Sequence, residues 1–332
     1  MDHHSHYTVE LHPTVIQELH AYVTEISTLY HDRNPFHNFD HACHVTMSVH
    51  KLMKRVVSSK VTNGGTASSS NSDGMAPPNH DAVYHPDGMY IVTPDPLTLF
   101  AIVFASLVHD IDHPGVSNTQ LAMEQPEMAK HYREKSIAEQ SSFDIGWDVL
   151  MSESYNNLRQ TIFPTESDLK RFRQVVVNSV LATDIFDKEM SDRRKARWNR
   201  VFSGSGGDLS DPVTTNTRAT IVLEYIIQAS DVSHTMQHWH VYTKWNRRLF
   251  EEMRLAFAQG RMAKDPATFW YEGELAFFDN YVIPLAKKLQ ECRVFGVSSD
   301  ECLNYALSNR NEWEAKGKAI VQDLTSSIQV QR

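Results

Sequence analysis

Cysteine is scarce in this chain of 332 residues. Only three occur, Cys43, Cys292 and Cys302, and no two of them form a CxxC pair. Disulfide-stabilised secreted domains carry more cysteines, in closely spaced sets. The sequence therefore argues against a disulfide scaffold and indicates reduced thiols, as in a cytoplasmic protein.

Long apolar runs are also missing. The longest, LTLFAIVFASLV at residues 97–108, is too short to cross a bilayer. The N-terminal residues MDHHSHYTVELHP lack the apolar segment of a signal peptide. We expect no membrane segment in this chain, whether it is a whole cytoplasmic protein or the cytoplasmic domain of a larger one with regulatory or membrane-attached parts.

An excess of basic residues is the third absence. The chain has 41 acidic and 32 basic residues, and its net charge is −9. Nucleic-acid-binding proteins usually present a basic patch, so no nucleic-acid partner is expected. A phosphate-bearing substrate stays compatible with this charge, because bound divalent cations can supply positive charge locally.

Helical periodicity dominates what is present. Apolar side chains recur at i, i+3, i+4 and i+7 in residues 97–108, and residues 217–230 follow the same pattern. Alternating strand patterns are scarce, which favours an all-α fold. Further helices are predicted near residues 14–30, 38–57, 168–181, 236–259, 273–292 and 300–322.

We expect one domain over residues 1–332, with its core at about 14–322. Segments rich in Ser, Gly and Asn at 58–80 and 203–216 are typical of flexible inserts. They are not expected to be domain boundaries, because the residues that could carry chemistry come from both sides of each.

The segment VHDIDHPGVSN at 108–118 carries the first candidate site. An apolar helix runs into His109 and Asp110, and Pro114-Gly115 then ends it. Imidazole and carboxylate ligands suit Zn²⁺ and other first-row metals, and a carboxylate can also bridge to Mg²⁺ or Mn²⁺. A charged helix end with ordinary ion pairs is the alternative for so short a motif. Two acids and two histidines directly after a buried helix favour a metal, since unpaired buried charge is costly.

Two further segments supply partners for this motif. In RNPFHNFDHACHV at 33–45, His37 and His41 are four residues apart and share a helix face, although a hydrated polar stripe is an alternative. In IIQASDVSH at 226–234, Asp231 ends another apolar helix, and buried aspartates are rare unless paired or metal-bound. Three apolar helices that each deliver a His or Asp at one end match the arrangement of HD metallophosphohydrolases.

The sequence then resembles one family in particular, the catalytic domain of class I 3′,5′-cyclic nucleotide phosphodiesterases. The resemblance implies a compact all-helical domain with two divalent metal ions at the bottom of a pocket. It also implies hydrolysis of cAMP, cGMP or both to nucleoside 5′-monophosphates by a hydroxide held between the metals. The matching segments, in family order, are FHNFDHACHV, HDIDHPGVSN, SIAEQS, VLATDI, ASDVSH and FFDNYVIPLAKKL.

The same resemblance implies a role for individual residues. His37 matches the family's proton donor, whereas His44 matches no functional position and is interpreted as a supporting or surface residue. Asp110 would bridge the first metal, typically zinc, to the second, typically Mg²⁺ or Mn²⁺. The ligands of the first metal would be His41, His109, Asp110 and Asp231. Positions around the metal-bound waters would be His113, Glu139 and Thr183.

The expected base pocket departs from the family pattern. Phe277 matches a phenylalanine that clamps the purine, but Glu274 stands where the family has a glutamine. Glutamine can donate and accept hydrogen bonds, whereas an ionised carboxylate only accepts them. Either Glu274 faces the base, or it turns outward into a salt bridge and stacking holds the base. The other candidates for substrate contact are His234, Tyr242, Leu249 and Met253.

Two other functions stay open at this point. One is a different HD-type phosphohydrolase that acts on nucleotides such as dNTPs, and the other is an inactive cyclic-nucleotide sensor. The HN-x-x-HA motif weighs against the first, and a complete set of ligand residues weighs against the second. The sequence leaves open the preferred nucleotide and whether the chain forms a homodimer.

Overall fold

The structure is a computed structural model that describes residues 10–58, 95–202, 212–292, 294–295 and 299–327. Within these ranges it consists of helices and connecting turns without a strand, which confirms the all-α prediction. The helices are α1 (Pro13–Thr28), α2 (Phe39–Ser58), α3 (Pro96–Val108), α4 (Asn118–Glu124), α5 (Pro126–His131), α6 (Ile137–Met151), α7 (Asn156–Ile162), α8 (Glu166–Ala182), α9 (Lys188–Phe202), α10 (Pro212–Asp231), α11 (Trp239–Ala258), α12 (Trp270–Phe277), α13 (Ile283–Glu291) and α14 (Glu301–Ser327).

The centre of the fold is α3, which packs against α2 and α8. Its first turn is fixed by Asp95, whose side chain accepts the backbone N–H of Leu97 at 3.1 Å, and by Pro96 at the first helical position. Ile102 and Val108 are fully buried. Because α3 is apolar on nearly all sides, it can only be stable inside the molecule.

Three helix ends bring the histidines and aspartates of the sequence motifs together. His37 lies just before the start of α2, His109 and Asp110 follow α3 directly, and Asp231 is the last residue of α10. The helices α2, α3 and α10 pack on one another, so these ends meet. After α3 the chain turns through two residues in the left-handed region, Asp112 at φ 57° and Gly115 at φ 70°.

The long helix predicted at 273–292 is interrupted. α12 ends at Phe277, a π-helical segment follows at Phe278–Val282, and α13 begins at Ile283. Pro284 is the physical cause, because its nitrogen cannot donate to the carbonyl one turn earlier and its ring widens the backbone there. The irregular segment lies directly after Phe277, one of the candidate base-pocket residues.

Some helices were not anticipated from periodicity, among them α4, α5, α6, α7 and α9. The predicted inserts at 58–80 and 203–216 lie outside the described residues, apart from Ser58 at the end of α2 and residues 212–216 at the start of α10. Proline at the first helical position favours a helix start at Pro212 rather than a continued loop. Among the described residues, no helix combines the length and apolarity that a bilayer crossing requires.

Candidate active site

Four side chains from three helix ends form one compact cluster. The Nε2 atom of His41 lies 3.0 Å from Asp231 Oδ1 and 3.6 Å from Asp110 Oδ2. The Nε2 atom of His109 lies 3.1 Å from Asp110 Oδ2 and 3.5 Å from Asp231 Oδ1. His41 and His109 are buried at 0% and 1% exposure, so the cluster is the floor of the site.

The cluster fits a divalent metal ion. His109 donates its Nδ1 hydrogen to the carbonyl of Ser106 at 2.9 Å, which leaves the Nε2 lone pair free to bind a metal. That Nε2 is buried and has no hydrogen-bond partner among the described residues. Ligand atoms about 2.1 Å from one shared metal lie roughly 3.0–3.4 Å apart, close to the distances observed. His41, His109 and Asp110 also bring their ligand atoms within 4.8 Å of one another.

The electrostatics of the cluster demand positive charge. Burial tends to raise the pKa of Asp231, but the adjacent imidazoles of His109 and His41 lower it below the usual range. Burial tends to lower the pKa of His109, but the adjacent Asp110 raises it well above the ordinary histidine value. The carboxylates of Asp110 and Asp231 share the same two imidazoles, so a cation beside them would stabilise both, and a metal ion supplies more charge than a proton.

A second pair of residues lies beside the metal-type cluster. The imidazole Nδ1 of His37 contacts Oε1 of Glu252 on α11. The other oxygen of Glu252 accepts the backbone N–H groups of Phe36 and His37, each at 2.9 Å. Burial tends to lower the pKa of His37, but the charge of Glu252 raises it to about 9. His37 is therefore held protonated, and its Nε2 nitrogen is left free of this contact.

His113 packs against His37, with ring centroids 3.8 Å apart. Its Nδ1 accepts the backbone N–H of Gly115 at 3.2 Å, and burial together with the charge of His37 lowers its pKa to about 3. A neutral ring next to a charged one avoids repulsion. Asn34 ties the two loops together, because its side chain donates to the carbonyl of His113 at 2.7 Å and of His37 at 3.2 Å.

Glu139 lies in a polar network that joins three segments. Asn118 donates its side-chain amide to Glu139 Oε2 at 2.9 Å, and Ser136 donates its hydroxyl to Asp184 Oδ2 at 2.8 Å. Burial and the charge of Asp184 raise the pKa of Glu139 to about 7, and the charge of Asp110 adds to this rise. Thr183, at the end of α8, donates its hydroxyl to the carbonyl of Val180 at 2.8 Å.

Glu274 points into the protein. It is 8% exposed, and its carboxylate accepts the hydroxyl of Tyr242 at 2.7 Å. Asn246 donates to the same hydroxyl at 3.3 Å and accepts the indole N–H of Trp270 at 3.2 Å. The alternative prediction, that Glu274 turns outward into a salt bridge, is wrong, because the side chain is buried and no Lys or Arg among the described residues pairs with its carboxylate. Burial raises the pKa of Glu274 to about 7.

The other predicted substrate contacts divide into two groups. Phe277 stacks on Tyr281 with centroids 5.4 Å apart, and it is half-buried, as are Leu249 and Met253. His234 is buried at 5% exposure, its ring lies 5.7 Å from that of Phe36, and burial lowers its pKa to about 3. The first group is open enough to meet a ligand, whereas His234 is enclosed by aromatic rings.

The indole of Trp245 is the centre of this aromatic packing. Its ring lies 5.6 Å from those of His41 and Phe36 and 5.1 Å from that of His44. The Nε2 atom of His44 lies 3.3 Å from the amide oxygen of Gln237. His44 therefore supports the wall behind the cluster and does not enter it.

One helix links the cluster to the base-pocket candidates. α11 carries Tyr242, Trp245, Leu249, Glu252 and Met253, spaced three or four residues apart or adjacent, so they occupy one face. Glu252 was missed from the sequence, as were Asn34, Asn118 and Asp184. The available signal for Glu252 was its position, since an acid within an apolar helical stripe is buried and needs a partner.

A cavity of about 760 Å³ lies elsewhere, between α1, α2 and α3. Its walls are almost entirely apolar, with Leu19, Phe100 and Leu107 among them, and no carboxylate lines it. Size alone does not locate a reaction centre, and the buried His and Asp groups do so here.

Curated relatives match the chain along most of its length. It is 27% identical over 243 residues to 3′,5′-cyclic-AMP phosphodiesterase 4C of Mus musculus, covering 72% of this chain. It is 26% identical over 250 residues to the probable 3′,5′-cyclic-AMP phosphodiesterase pde-4 of Caenorhabditis elegans, covering 74%. It is 23% identical over 246 residues to the 3′,5′-cyclic-nucleotide phosphodiesterase regA of Dictyostelium discoideum, covering 73%. The chain spans only 29%, 30% and 25% of these relatives' own lengths, respectively.

Solved structures share the fold. The crystal structure of the phosphodiesterase domain of Salpingoeca rosetta rhodopsin phosphodiesterase matches with a TM-score of 0.67 and 20% identity, over 96% of this chain and 87% of that one. A structure of the phosphodiesterase domain of the RhoPDE fusion protein from the same organism gives a TM-score of 0.68 and 20% identity, over 93% and 88%.

A family model settles the relationship that these similarities suggest. The model described as 3′5′-cyclic nucleotide phosphodiesterase matches residues 36–294, a span that contains His37, the His–Asp cluster and the Glu274 network. The chain therefore belongs to the 3′5′-cyclic nucleotide phosphodiesterase family.

Proposed function

We propose that this chain hydrolyses 3′,5′-cyclic nucleotides to nucleoside 5′-monophosphates. The single observation that carries the proposal is the buried cluster of His41, His109, Asp110 and Asp231 beside a protonated His37. Family membership supports the same activity, as do the printed names of relatives, two for cyclic AMP and one for cyclic nucleotides.

The cluster holds divalent metal ions in this proposal. Two imidazoles and two carboxylates are a donor set that suits Zn²⁺, and Asp110 is the carboxylate that would also reach a second ion, Mg²⁺ or Mn²⁺. When bound, the metal ions neutralise the phosphate oxygens and activate water for attack on phosphorus. His109 donates its Nδ1 hydrogen to the Ser106 carbonyl, so Nε2 is the nitrogen that would bind the metal in place of a proton.

His37 is the proton donor to the leaving O3′ oxygen. An alkoxide is a poor leaving group, so cleavage needs a proton at that atom in the transition state. Glu252 holds the imidazole by Nδ1 and by the backbone, which leaves Nε2 as the nitrogen that donates. Glu252 is thus a positioning residue, and neutral His113 supports the other face of the ring.

Glu139 and Thr183 line the water-filled side of the metal pocket in this proposal. A half-buried Glu139 with a pKa near neutrality can carry or release a proton without large cost. Asn118 fixes its orientation by donating to Glu139 Oε2 at 2.9 Å, and the same amide also donates to Asp184 Oδ2 at 3.4 Å.

Glu274 recognises the base as a neutral carboxylic acid. Its hydroxyl donates and its carbonyl oxygen accepts, so in the protonated form it offers the same two functions as the family's glutamine amide. Burial and the Tyr242 contact keep the side chain in this position. Phe277 supplies the stacking surface, with Leu249 and Met253 as walls.

The chain works as the catalytic part of a larger cytoplasmic protein in this proposal. It spans about a third or less of its curated relatives, which leaves room for regulatory or membrane-attached parts in proteins of that kind. A homodimer stays a prediction from the sequence.

The test is a substrate panel on the purified chain. cAMP, cGMP and two dNTPs are supplied with Mg²⁺ or Mn²⁺, with a chelator control, and products are separated by chromatography. The proposal predicts 5′-AMP or 5′-GMP and no 3′-monophosphate. Release of triphosphate from a dNTP would instead identify the other HD-type phosphohydrolase, and tight binding without turnover would identify a sensor.

A further inference from the structure

The helix α9 is basic in a chain that is acidic overall. Residues Lys188–Phe202 contain six Lys or Arg and two Asp or Glu, against a net charge of −9 for the whole chain. Trp198 and Val201 anchor one face of the helix in the core. The arginines on the neighbouring face line a cavity beside α8 and α10, where Arg194 is buried and Arg193 and Arg200 are exposed.

Arg194 is the unusual member of this set. It is 4% exposed, and its Nη1 donates to the carbonyl of Ala182, the last residue of α8, at 2.8 Å. This bond accounts for one of the five N–H groups of a guanidinium. Among the described residues no Asp or Glu lies within ion-pair distance of it. A buried arginine without a counter-ion is costly, so an anion beside it would stabilise the fold.

A cavity of about 420 Å³ lies against Arg194. Three further arginines line it, Arg193, Arg197 and Arg200, and among the described residues Glu224 is the one acid on its wall. Both oxygens of Glu224 already accept Arg197, at 2.9 Å and 2.6 Å, so that carboxylate is not available to Arg194. Arg193 pairs with Glu189 on its own helix at 2.5 Å. Arg194 and Arg200 are therefore the wall's guanidinium groups that have no ion pair among the described residues.

We propose that this cavity binds a small molecule that carries a phosphate or pyrophosphate group, at a site separate from the reaction centre. Guanidinium groups match phosphate oxygens in paired, charge-assisted hydrogen bonds. The volume lies within the range of small-molecule pockets, about 300–1,000 Å³. None of the residues that line the cavity belongs to the His–Asp cluster, the His37–Glu252 pair or the Glu274 network.

The shape favours a small molecule over a protein or membrane surface. Arg194 forms part of the wall and is nearly inaccessible from outside, so a flat surface could touch only the exposed Arg193 and Arg200. A ligand must enter the cavity to meet Arg194. Arg194 donates to the carbonyl of Ala182, and the next residue, Thr183, is a candidate residue of the metal pocket. The bound anion would therefore lie next to the metal pocket but outside it.

The test measures ligand binding by the chemical reactivity of the arginines themselves, so it does not depend on hydrolysis. The metal-loaded protein is treated with phenylglyoxal, and the modification rates of Arg193 and Arg200 are measured by peptide mass spectrometry with and without inorganic phosphate or pyrophosphate. At ten times the dissociation constant, a bound ligand slows modification about tenfold. Arg247, exposed on α11 and outside the cavity, is the internal reference and should keep its rate.

A variant pair makes the result specific. Arg200→Gln removes an exposed cavity arginine and should raise the concentration for half-protection of Arg193 at least about tenfold, the effect of one charge-assisted hydrogen bond. Lys195→Gln removes the same charge from the same helix outside the cavity and should leave protection unchanged. Protection by phosphate alone identifies a free anion as ligand, and protection by pyrophosphate only identifies a diphosphate.

Several outcomes would overturn the proposal. Equal modification rates with and without either probe would mean that Arg194 serves only to cap α8. Equal effects of Arg200→Gln and Lys195→Gln would mean general charge screening. Protection by anionic vesicles or a phosphoserine peptide, but by neither small probe, would assign the arginines to a macromolecular surface.

Discussion

Glu252 holds His37 at two points, with one carboxylate oxygen on the imidazole Nδ1 and the other on the backbone N–H at 2.9 Å. The two residues are separated by 215 positions in the sequence. The contact fixes both the charge and the direction of the ring, so it connects the packing of α11 to proton transfer.

His37→Ala should keep bound metal and lose hydrolysis by at least about 10²-fold, the usual scale for a general acid. Turnover and metal content are measured on the same sample. His44→Ala is the matched control from the same helix region, because it removes an imidazole that contacts Trp245 and Gln237 and lies outside the His–Asp cluster. Near-normal turnover of His37→Ala would refute the assignment.

Glu252→Gln should lower kcat and shift the pH profile. With Glu252 the pKa of His37 is raised to about 9, and without the carboxylate it falls. A general acid acts only while protonated, so the alkaline limb of kcat/KM should move to lower pH in the variant. A profile that keeps its shape while the rate falls would indicate a structural role for Glu252.

Asp231→Asn should deplete bound metal, because an amide oxygen is a weaker ligand and carries no charge. Elemental analysis after dialysis measures the loss. Asp40→Asn is the control, since Asp40 is an exposed acid that pairs with Arg248 at 3.3 Å outside the cluster. Zinc content that is the same in both variants would contradict the proposed ligand set.

Glu274→Gln should change stability with pH in a defined direction. The pKa of Glu274 is about 7 in the folded protein against an ordinary value of 4.5, so the folded state retains a proton that the unfolded state releases. Between pH 4.5 and about 7 the wild type therefore loses stability as pH rises, and glutamine does not. The free energy of unfolding of Glu274→Gln, relative to that of the wild type, should therefore rise across this window by up to about 3 kcal/mol and then level off.

The same variant tests base recognition. Below pH 7 the acid and the amide should give similar cAMP and cGMP efficiencies, and above pH 7 the wild type alone should lose efficiency as its carboxyl ionises. The ratio of kcat/KM for the two substrates is measured at both ends of the range. Identical pH dependence in wild type and variant would mean that Glu274 does not contact the base.

A pair of glycines tests the packing beneath the metal loop. A Cβ at Gly146 would lie 3.0 Å from Val108 and 3.1 Å from Ile111, the residues that flank His109 and Asp110. Gly146→Ala should cost about 1–3 kcal/mol of unfolding free energy. Gly273→Ala meets only Phe269 at 3.6 Å and should be neutral or gain about 0.5–1 kcal/mol. Equal denaturation midpoints for both variants would contradict this packing.

The sequence predicted the core helices and the positions of the cluster because burial leaves a periodic trace. α3 and α10 are apolar enough that a His or Asp at their ends had to be buried, and a buried charge needs a partner. Glu252 left a weaker trace: it lies in the apolar stripe of α11, but an acid on an amphipathic helix is ordinarily exposed. The helix α9 left no periodic trace of burial, because only three of its residues are buried, Arg194, Trp198 and Val201. Those features depend on contacts between distant segments, which periodicity does not encode.

The most direct test of the central claim is cAMP and cGMP turnover by the wild-type chain before and after chelation, with bound metal counted in the same samples. The proposed metal-dependent reaction predicts that hydrolysis to 5′-monophosphates falls with metal content and returns when Zn²⁺ and Mg²⁺ are restored. Hydrolysis that persists in fully metal-depleted protein, or metal-loaded protein that turns over neither nucleotide, would contradict it.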